Sequence, residues 1–233
     1  LRYLQESLEI LREIGDRAWE GQSLNNIGEI YRARGDYGEA LKYLEASLEI
    51  QREIGDRAGE GQSLNNISLI YHARGDYGTA LRYLQESLEI LREIGDRAGE
   101  GRTLNNMAAI AHARGDYGEA LKYLEESLEI QREIGDRAGM TITLHNMAKI
   151  ALNAQDPEKA DRLWSEALDI AMETQDALGL FNVGRHFGDF LAKNGYPEKG
   201  KELLTMAAQV GRAAGLPDVE EVEAILKALG DSE

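Results

Sequence analysis

The sequence of 233 residues contains no cysteine, only three prolines and few aromatic residues. Without cysteine there are no disulfide bonds, thiolate metal sites or cysteine nucleophiles, and we expect a cytoplasmic protein because a thiol-free chain suits a reducing compartment. No apolar run approaches the roughly 18–20 residues that cross a bilayer. The first ten residues, LRYLQESLEI, are amphipathic and charged, so we expect no signal peptide. The chain starts without Met and partway through a repeat, which indicates part of a longer protein.

Acidic side chains outnumber basic ones by 42 to 26, which gives a formal net charge of −16. Such a surface repels the phosphates of nucleic acids and the headgroups of anionic membranes, so we expect neither as a partner. A partner that carries lysine or arginine would be attracted instead. The abundance of leucine, alanine, glutamate and arginine is typical of a helical protein.

An internal repeat of 40 residues dominates the sequence. Residues 1–40, 41–80 and 81–120 align without gaps, and the first segment differs from the second at 9 positions and from the third at 8. A fourth copy keeps the register while its sequence drifts, and a fifth is recognisable from Phe187 and Gly188. Repetition without insertion indicates that each copy is one structural module.

Each copy contains two helical patterns separated by a Gly-Asp pair. In the first full copy, apolar residues recur on one face of Arg17–Arg34 and again on one face of Tyr37–Ile54. We expect the second segment to bury Ala40, Leu41, Leu44, Leu48 and Ile54. In pairs such as Gly55-Asp56, the glycine ends one helix and the aspartate caps the next. Pro157 follows an aspartate and is expected at a first helical position, where proline is tolerated.

This pattern resembles the tetratricopeptide repeat (TPR) family. In the first full copy the family's small and large positions are occupied by Leu24, Ile27, Gly28, Tyr31, Gly35, Tyr37, Ala40 and Leu44. The period exceeds the commonest spacing of about 34 residues. It is similar to the longer repeats of kinesin light chains, Pins-type adaptors and the sensor regions of bacterial signalling ATPases. The resemblance implies an all-α fold, a right-handed superhelical solenoid of antiparallel helix hairpins.

The repeat register also predicts how the chain is divided. We expect a solenoid over residues 1–216, composed of a half repeat at 1–14 and full repeats at 15–54, 55–94, 95–134, 135–174 and 175–214. Residues 217–233 are expected to form a C-terminal capping helix. Glu220, Glu221 and Glu223 would lie on its outward side, and a terminal cap needs a polar outer face.

In this family the first helix of each hairpin lines a concave groove, so the resemblance implies that polar residues on these helices contact a bound peptide. In the first three repeats these residues are Gln22, Asn25, Asn26, Arg32, Gln62, Asn65, Asn66, His72, Arg102, Asn105, Asn106 and His112. In the last two they are His145, Asn146, Lys149 and Arg185. The basic members lead us to expect a groove more positive than the net charge indicates, which would suit an acidic or C-terminal carboxylate peptide.

The most distinctive series is formed by Asn26, Asn66, Asn106 and Asn146. Asparagine is a mediocre helix former, so its recurrence in the middle of a helix needs a reason. In one interpretation the amides hold the backbone of an extended peptide, because they offer both donors and an acceptor. In the other, Asn25 or Asn26 bonds a neighbouring helix and was copied with the duplication. The sequence leaves both interpretations open.

Both tryptophans interrupt the repeat. Trp164 replaces Leu44 in the register and is expected in the core. Trp19 stands where the next two repeats have Gly59 and Gly99, and it either anchors a partner or packs on the neighbouring hairpin.

Features that would indicate chemistry are weak. The sequence has no GxxxxGK[ST] motif and no GxGxxG motif after a strand. Paired carboxylates lie at helical spacings that favour solvated ion pairs over acid–base catalysis. His72 and His112 occupy equivalent positions, but two imidazoles without a carboxylate or thiolate make a poor zinc site. We therefore expect no enzyme activity, no cofactor and no bound metal.

The sequence predicts a protein-protein interaction scaffold that binds a peptide or partner protein in its concave groove. One alternative is a ligand-sensing repeat segment of a larger signalling ATPase or protease. Another is a self-assembling structural repeat protein, because the N-terminal half repeat would expose Leu1, Leu4, Leu8 and Leu11 with no first helix to cover them.

Overall fold

The computed structural model describes residues 2–230, which form twelve α-helices and no strand. The helices are α1 Arg2–Ile14, α2 Arg17–Ala33, α3 Tyr37–Ile54, α4 Arg57–Ala73, α5 Tyr77–Ile94, α6 Arg97–Ala113, α7 Tyr117–Ile134, α8 Arg137–Asn153, α9 Pro157–Thr174, α10 Ala177–Lys193, α11 Pro197–Ala214 and α12 Val219–Gly230. The predicted all-α class is confirmed. Leu1 of the predicted half repeat and residues 231–233 of the predicted cap lie outside the described residues.

The helices alternate between two types. We call α2, α4, α6, α8 and α10 the A helices, and α1, α3, α5, α7, α9 and α11 the B helices. An A helix and the B helix that follows it correspond to one 40-residue repeat. The predicted boundaries need small changes, since α2 ends at Ala33 with Arg34 as its C-cap, and the last helix begins at Val219.

The Gly-Asp pairs stop one helix and start the next, as predicted. Gly55 has a φ of 73°, in the left-handed region that glycine adopts without strain. The side chain of Asp56 then accepts a hydrogen bond from the backbone N–H of Gly59 at 3.0 Å. Pro157 occupies the first turn of α9, behind the capping Asp156. The helix boundaries are therefore encoded locally in each repeat.

The helices group into two compact units, the first ending at Ile130 and the second beginning at Gln131. In the first unit, Leu44 and Leu48 of α3 form a core with Leu64 and Ile67 of α4. Corresponding residues of α5 and α6 form the next cluster, because the apolar positions recur with the 40-residue period. Each hairpin of this unit thus buries its apolar face against the next.

One predicted core residue lies at the surface. Ile54 is 39% exposed, and the equivalent Ile94 is 40% exposed. Each is the last residue of its helix and precedes a left-handed glycine, so it has helical neighbours on one side only. Leu41, also predicted to be buried, is half-buried. The opposite correction applies to Leu8 of α1, which was expected to be exposed but is buried against Leu24 of α2.

In the second unit an aromatic cluster replaces part of the aliphatic core. Trp164 of α9 is 1% exposed, which confirms its predicted place in the core. Its ring lies 5.9 Å from that of Phe187 and 5.4 Å from that of Phe190, both on α10. Nearby, Gly200 of α11 approaches α10 so closely that a Cβ would lie 2.6 Å from the carbonyl oxygen of Gly188.

The last helix covers the end of the second unit. Val222 of α12 is buried against Phe181 and Leu204. Glu220 and Glu221 are exposed on the opposite side, as a terminal cap requires.

Candidate functional site

A groove of about 650 Å³ lies in the first unit, along α2, α4 and α6. It brings together seven residues predicted from the sequence, which are Gln22, Asn25, Gln62, Asn65, Asn66, Arg102 and Asn106. Trp19 and Leu69 add apolar surface, and the capping residues Asp56 and Asp96 lie at the starts of α4 and α6. The groove is therefore a mixed polar and apolar surface along three consecutive A helices.

Asparagine side chains link these A helices to one another. The Nδ2 of Asn66 on α4 donates to the Oδ1 of Asn25 on α2 at 3.1 Å. One repeat later, the Nδ2 of Asn106 donates to the Oδ1 of Asn65 at 2.7 Å. The first asparagine of one repeat is thus bonded to the second asparagine of the next. We call these contacts the asparagine bridges.

The bridges bear on the two interpretations of the asparagine series. Asn25 is 3% exposed, and its Oδ1 also accepts from the Ser63 hydroxyl at 3.3 Å. These bonds between helices are what the structural interpretation predicted. The bridge uses one N–H of Asn66, and the carbonyl oxygen and second N–H of this half-buried amide remain for a ligand. Peptide binding by the asparagines therefore stays a prediction.

Other predicted contacts from the first unit lie elsewhere. Asn26 is exposed on α2 but does not line the groove. Asn105 donates to the Ser127 hydroxyl at 2.7 Å, which ties α6 to α7. His72 and His112 pack beside the tyrosines that begin the following B helices, with ring centroids 5.6 Å from Tyr77 and 5.5 Å from Tyr117.

Two of the four predicted basic residues form ion pairs within their own unit. The Nε of Arg32 lies 3.1 Å from the Oε1 of Glu29. The Nη1 of Arg185 lies 3.2 Å from the Oδ2 of Asp218. Each of these guanidinium groups therefore already has a carboxylate partner within its own unit.

The groove itself contains more acid than base. Arg102 is accompanied there by the carboxylates of Asp56 and Asp96, although both cap helices and accept backbone hydrogen bonds. The expected excess of positive charge is therefore absent among the residues that line this groove.

The remaining predicted residues belong to the second unit. His145 is 8% exposed and lies in the core, where its Nδ1 accepts a hydrogen bond from the Nε1 of Trp164 at 3.2 Å. Its ring contacts that of His186 edge to face, with centroids 4.9 Å apart. Burial, together with smaller contributions from the neighbouring His186 and Lys149, lowers the pKa of His145 to about 3. Burial also lowers the pKa of His186.

A smaller cavity of about 300 Å³ lies in the second unit. Lys149, His186 and the apolar Phe190 are among the residues that line it. Lys193, which also lines it, is paired with Asp189 at 2.7 Å. Asn146 is half-buried on α8 and does not line this cavity.

A buried glutamate held by two arginines recurs in each repeat of the first unit and was not predicted from the sequence. Glu60 is 5% exposed and accepts hydrogen bonds from the Nε of Arg52 at 2.8 Å and the Nη1 of Arg57 at 2.6 Å. Burial alone would raise the pKa of Glu60, but the two arginines outweigh it and the pKa is lowered. The same arrangement surrounds Glu20 and Glu100. The recurring GDRAxE string was the available signal.

Trp19 remains at the surface. Its side chain is 61% exposed and lines the groove beside Ala58 and Gly59 of α4. Its exposure argues against the alternative of packing on the neighbouring hairpin, and the alternative of an anchor for a partner stays a prediction.

No helix within residues 2–230 combines the length and apolar character needed to cross a membrane. Stacked pairs of A and B helices are the architecture of helical repeat proteins. The chain belongs to the tetratricopeptide repeat family. The model of that family, described as "Tetratricopeptide repeat", matches residues 1–53, 19–93 and 99–173, which together span more than half of the chain. The predicted family is confirmed.

Several solved structures share this fold. BtubC (BKLC) from P. vanneervenii has a TM-score of 0.75 at 16% identity, over 92% of this chain and 90% of that one. The TPR-like repeats of a putative kinesin light chain from Podosopora anserina have a TM-score of 0.61 at 18% identity, over 83% of this chain and 95% of that one. NprR in complex with its cognate peptide NprX has a TM-score of 0.67 at 20% identity, over 98% of this chain and 65% of that one. Comparison with curated proteins finds no match.

Proposed function

We propose that this chain is an interaction scaffold that binds an extended peptide, or an extended segment of a partner protein, in the groove of the first unit. The observation that carries the proposal is the groove of about 650 Å³ lined by amide side chains from three successive A helices. Amides both donate and accept, so Gln62 and Asn66 suit the backbone of an extended chain whatever its side chains. Trp19 and Leu69 supply apolar surface for a side chain of the ligand.

The structural relatives support this proposal. NprR with its cognate peptide NprX shares the fold, and so does a Rap protein complexed with Competence and Sporulation Factor. The chain spans 65% of the length of that NprR structure, so the functions of the whole relatives are not carried over. We propose that the chain acts by binding and has no catalytic activity, because members of this repeat family are typically scaffolds. A cytoplasmic location and the exclusion of nucleic acid stay predictions from composition.

A blocked groove tests the proposal. In Gly59→Trp, a tryptophan enters the groove at the position that Trp19 occupies in the preceding repeat. Its Cβ would meet the side-chain ends of Asp56 and Gln51, which must shift to admit it, so the variant is first shown to unfold cooperatively in urea. A peptide is first selected on the unmodified protein from a randomised display library. Its dissociation constant is then measured by fluorescence anisotropy. We expect Gly59→Trp to weaken binding at least about tenfold, which corresponds to about 1.4 kcal/mol.

The matched control is Gly118→Trp. Gly118 is exposed near the start of α7, and a Cβ there would meet nothing within 4 Å. We expect this variant to bind the peptide within twofold of the unmodified protein. Equal loss in both variants, or a library that yields no binder, would count against the groove as the binding site.

A further inference from the structure

Gly59, near the start of α4, leaves a small space open on the groove of the first unit. A Cβ at this position would lie 2.4 Å from the Oδ2 of Asp56 and 2.8 Å from the Nε2 of Gln51. Because glycine has no Cβ, this volume stays open, and all three residues line the groove. We call this space the Gly59 notch. It brings a carboxylate and a carboxamide to the same point of the groove.

The carboxamide of Gln51 is buried without its full set of hydrogen bonds. The residue is 5% exposed, and its Oε1 has no hydrogen-bond partner among residues 2–230. A buried acceptor that has lost water without gaining another donor is costly, and such atoms are few in folded proteins. An unpaired acceptor on a residue that lines an open groove indicates that the missing donor comes from a ligand.

An equivalent glutamine further along the chain shows which hydrogen bond is missing. Gln131 lies two repeat periods after Gln51, and its Oε1 accepts a hydrogen bond from the Thr143 hydroxyl at 2.8 Å. The counterpart of Thr143 beside Gln51 is Ser63, whose hydroxyl donates instead to the Oδ1 of Asn25 at 3.3 Å. The contacts of the asparagine bridge thus take up the hydroxyl that would otherwise bond Gln51.

The amide of Gln51 can present either of its ends to the notch. Since Oε1 makes no hydrogen bond, half a turn of the amide group breaks none at this atom and exchanges it with Nε2. In that orientation the oxygen of Gln51 faces the notch together with the Oδ2 of Asp56. The Oδ1 of Asp56 is occupied, because it accepts the N–H of Gly59 at 3.0 Å. Two oxygens, one of them charged, then face the same space.

We propose that the segment bound in the groove inserts an arginine side chain into the Gly59 notch, which presupposes the proposed function. A guanidinium group carries several N–H donors in one plane, so it bonds the oxygen of Gln51 and the carboxylate of Asp56 together. Trp19 lines the same groove with 61% of its surface exposed. Guanidinium groups stack favourably on the faces of aromatic rings, so the indole suits the same ligand.

The charges along the groove favour the same occupant. Asp56 and Asp96 outnumber Arg102 among the charged residues that line it, and the whole chain has a formal charge of −16. A basic segment is therefore attracted over a distance, whereas an acidic segment is repelled.

The next repeat has a similar notch without the glutamine. A Cβ at Gly99 would lie 2.5 Å from the Oδ2 of Asp96 and 2.9 Å from the Cδ2 of Leu91, which stands in the place of Gln51. A guanidinium group there would find one carboxylate and an apolar wall. The Gly59 notch is therefore the better match for arginine, and Gln51→Leu copies a side chain that the fold already accepts at this position.

Parallel selections from a randomised peptide display library provide the first test. Among peptides selected on the unmodified protein, we expect arginine to be enriched at one position. Selection on Gln51→Leu should still yield binders, but without this enrichment. In the control Gln131→Leu, the same change is made at a glutamine that does not line the groove, so the arginine enrichment should persist.

The second test compares one selected peptide with a version in which its arginine is replaced by leucine. We expect this replacement to weaken binding to the unmodified protein at least about tenfold, measured by fluorescence anisotropy. In Gln51→Leu and in Asp56→Asn the same replacement should cost less than about threefold, because each variant removes one of the two partners of the guanidinium group. Asparagine also caps helices, so Asp56→Asn removes the charge and keeps the cap. Cooperative urea unfolding verifies that each variant is folded.

Two kinds of failure are distinguishable. A library that yields no binder overturns the groove as a binding site, and the arginine site with it. Binders that Gly59→Trp excludes but that show no preferred arginine overturn the arginine site alone. An arginine preference that survives both Gln51→Leu and Asp56→Asn has the same meaning, since the groove then binds peptides without using the notch.

Discussion

A variant that carries both Arg52→Gln and Arg57→Gln is expected to lose about 3 kcal/mol of unfolding free energy at pH 7. The reason is Glu60, which is buried between α3 and α4 and accepts hydrogen bonds from both arginines. Without them its carboxylate stays desolvated and unpaired. The arginines also pair with the exposed Glu86 and Glu93, but surface pairs contribute less than about 1 kcal/mol each. Urea titration followed by circular dichroism measures the loss.

The second unit provides the control for this prediction. There Met140 replaces the glutamate of the first three repeats and is 6% exposed, so an apolar residue is accepted at this position. Adding Glu60→Met to the Arg52→Gln, Arg57→Gln variant should recover most of the lost stability. If the triple variant is as unstable as the double one, the arginines stabilise the repeat by their own packing and the explanation fails.

The dependence of stability on pH gives a second check. As the pH falls, the contribution of Glu60 to the unfolding free energy should decrease in the unmodified protein and increase in the double variant. In the unmodified protein the pKa of Glu60 is lowered, so its contribution to stability is present at neutral pH and lost as the pH falls. In the double variant burial remains without the arginines, so the pKa of Glu60 is expected to rise. Protonation of Glu60 then relieves the desolvation penalty. The difference in unfolding free energy between the double variant and the unmodified protein should therefore become smaller from pH 7 to pH 4.

The fold follows largely from local features of the sequence. Aspartate caps, left-handed glycines and the first-turn Pro157 each act within a few residues, so the helix boundaries could be predicted closely. The register also placed Trp164 in the core, because it stands in the position of Leu44. The prediction that Ile54 is buried was wrong because its burial depends on how far the neighbouring helices extend beyond the end of α3. The periodicity of the sequence carries no information about that length.

The site was less predictable because it depends on contacts between repeats. Asn25 and Asn26 are adjacent in sequence, yet the first is buried and bridged while the second is exposed. Which of the two meets the next A helix depends on how the helices pack, and a single repeat does not encode that. Likewise, Glu60 has the spacing of an ordinary surface charge. Its pairing depends on Arg52, which the preceding helix α3 brings to within 2.8 Å.

The bridges also explain the unusual core of the second unit. His145 and His186 are separated by 41 residues, the same spacing that separates Asn25 from Asn66. The contact between the two imidazole rings therefore takes the place of an asparagine bridge. Because Trp164 replaces a leucine beside it, the histidine also gains a hydrogen-bond donor. The last two repeats thus have titratable groups where the earlier repeats have neutral amides.

Acidification is therefore expected to destabilise the second unit. In the folded protein the pKa of His145 lies at about 3, whereas in the unfolded chain a histidine has its ordinary pKa of about 6.5. As the pH falls below about 6.5, the unfolded chain binds a proton that folded His145 does not. Stability is lost by about 1.4 kcal/mol per pH unit until the folded pKa is reached. The pKa of His186 is also lowered, so this residue makes the loss of unfolding free energy per pH unit steeper.

The surroundings of the pair explain why it resists protonation. Lys149 on α8 and Arg185 on α10 add positive charge, and Asp189 offsets this only at His186. A protonated His145 would also lose its acceptor lone pair and turn an N–H towards the indole N–H of Trp164. Protonation therefore removes a buried hydrogen bond as well as placing a charge in the core.

Restoring the asparagines tests this account. His145→Asn with His186→Asn recreates the amide pair of the earlier repeats and should flatten the dependence of stability on pH between 7.5 and 5. Emission of the buried Trp164 during urea titration reports on the second unit, in a Trp19→Gly background that removes the other tryptophan. His72→Arg, which removes a histidine of the first unit, should leave the slope in place. An unchanged slope in the double asparagine variant would show that groups other than this histidine pair make the second unit acid-sensitive.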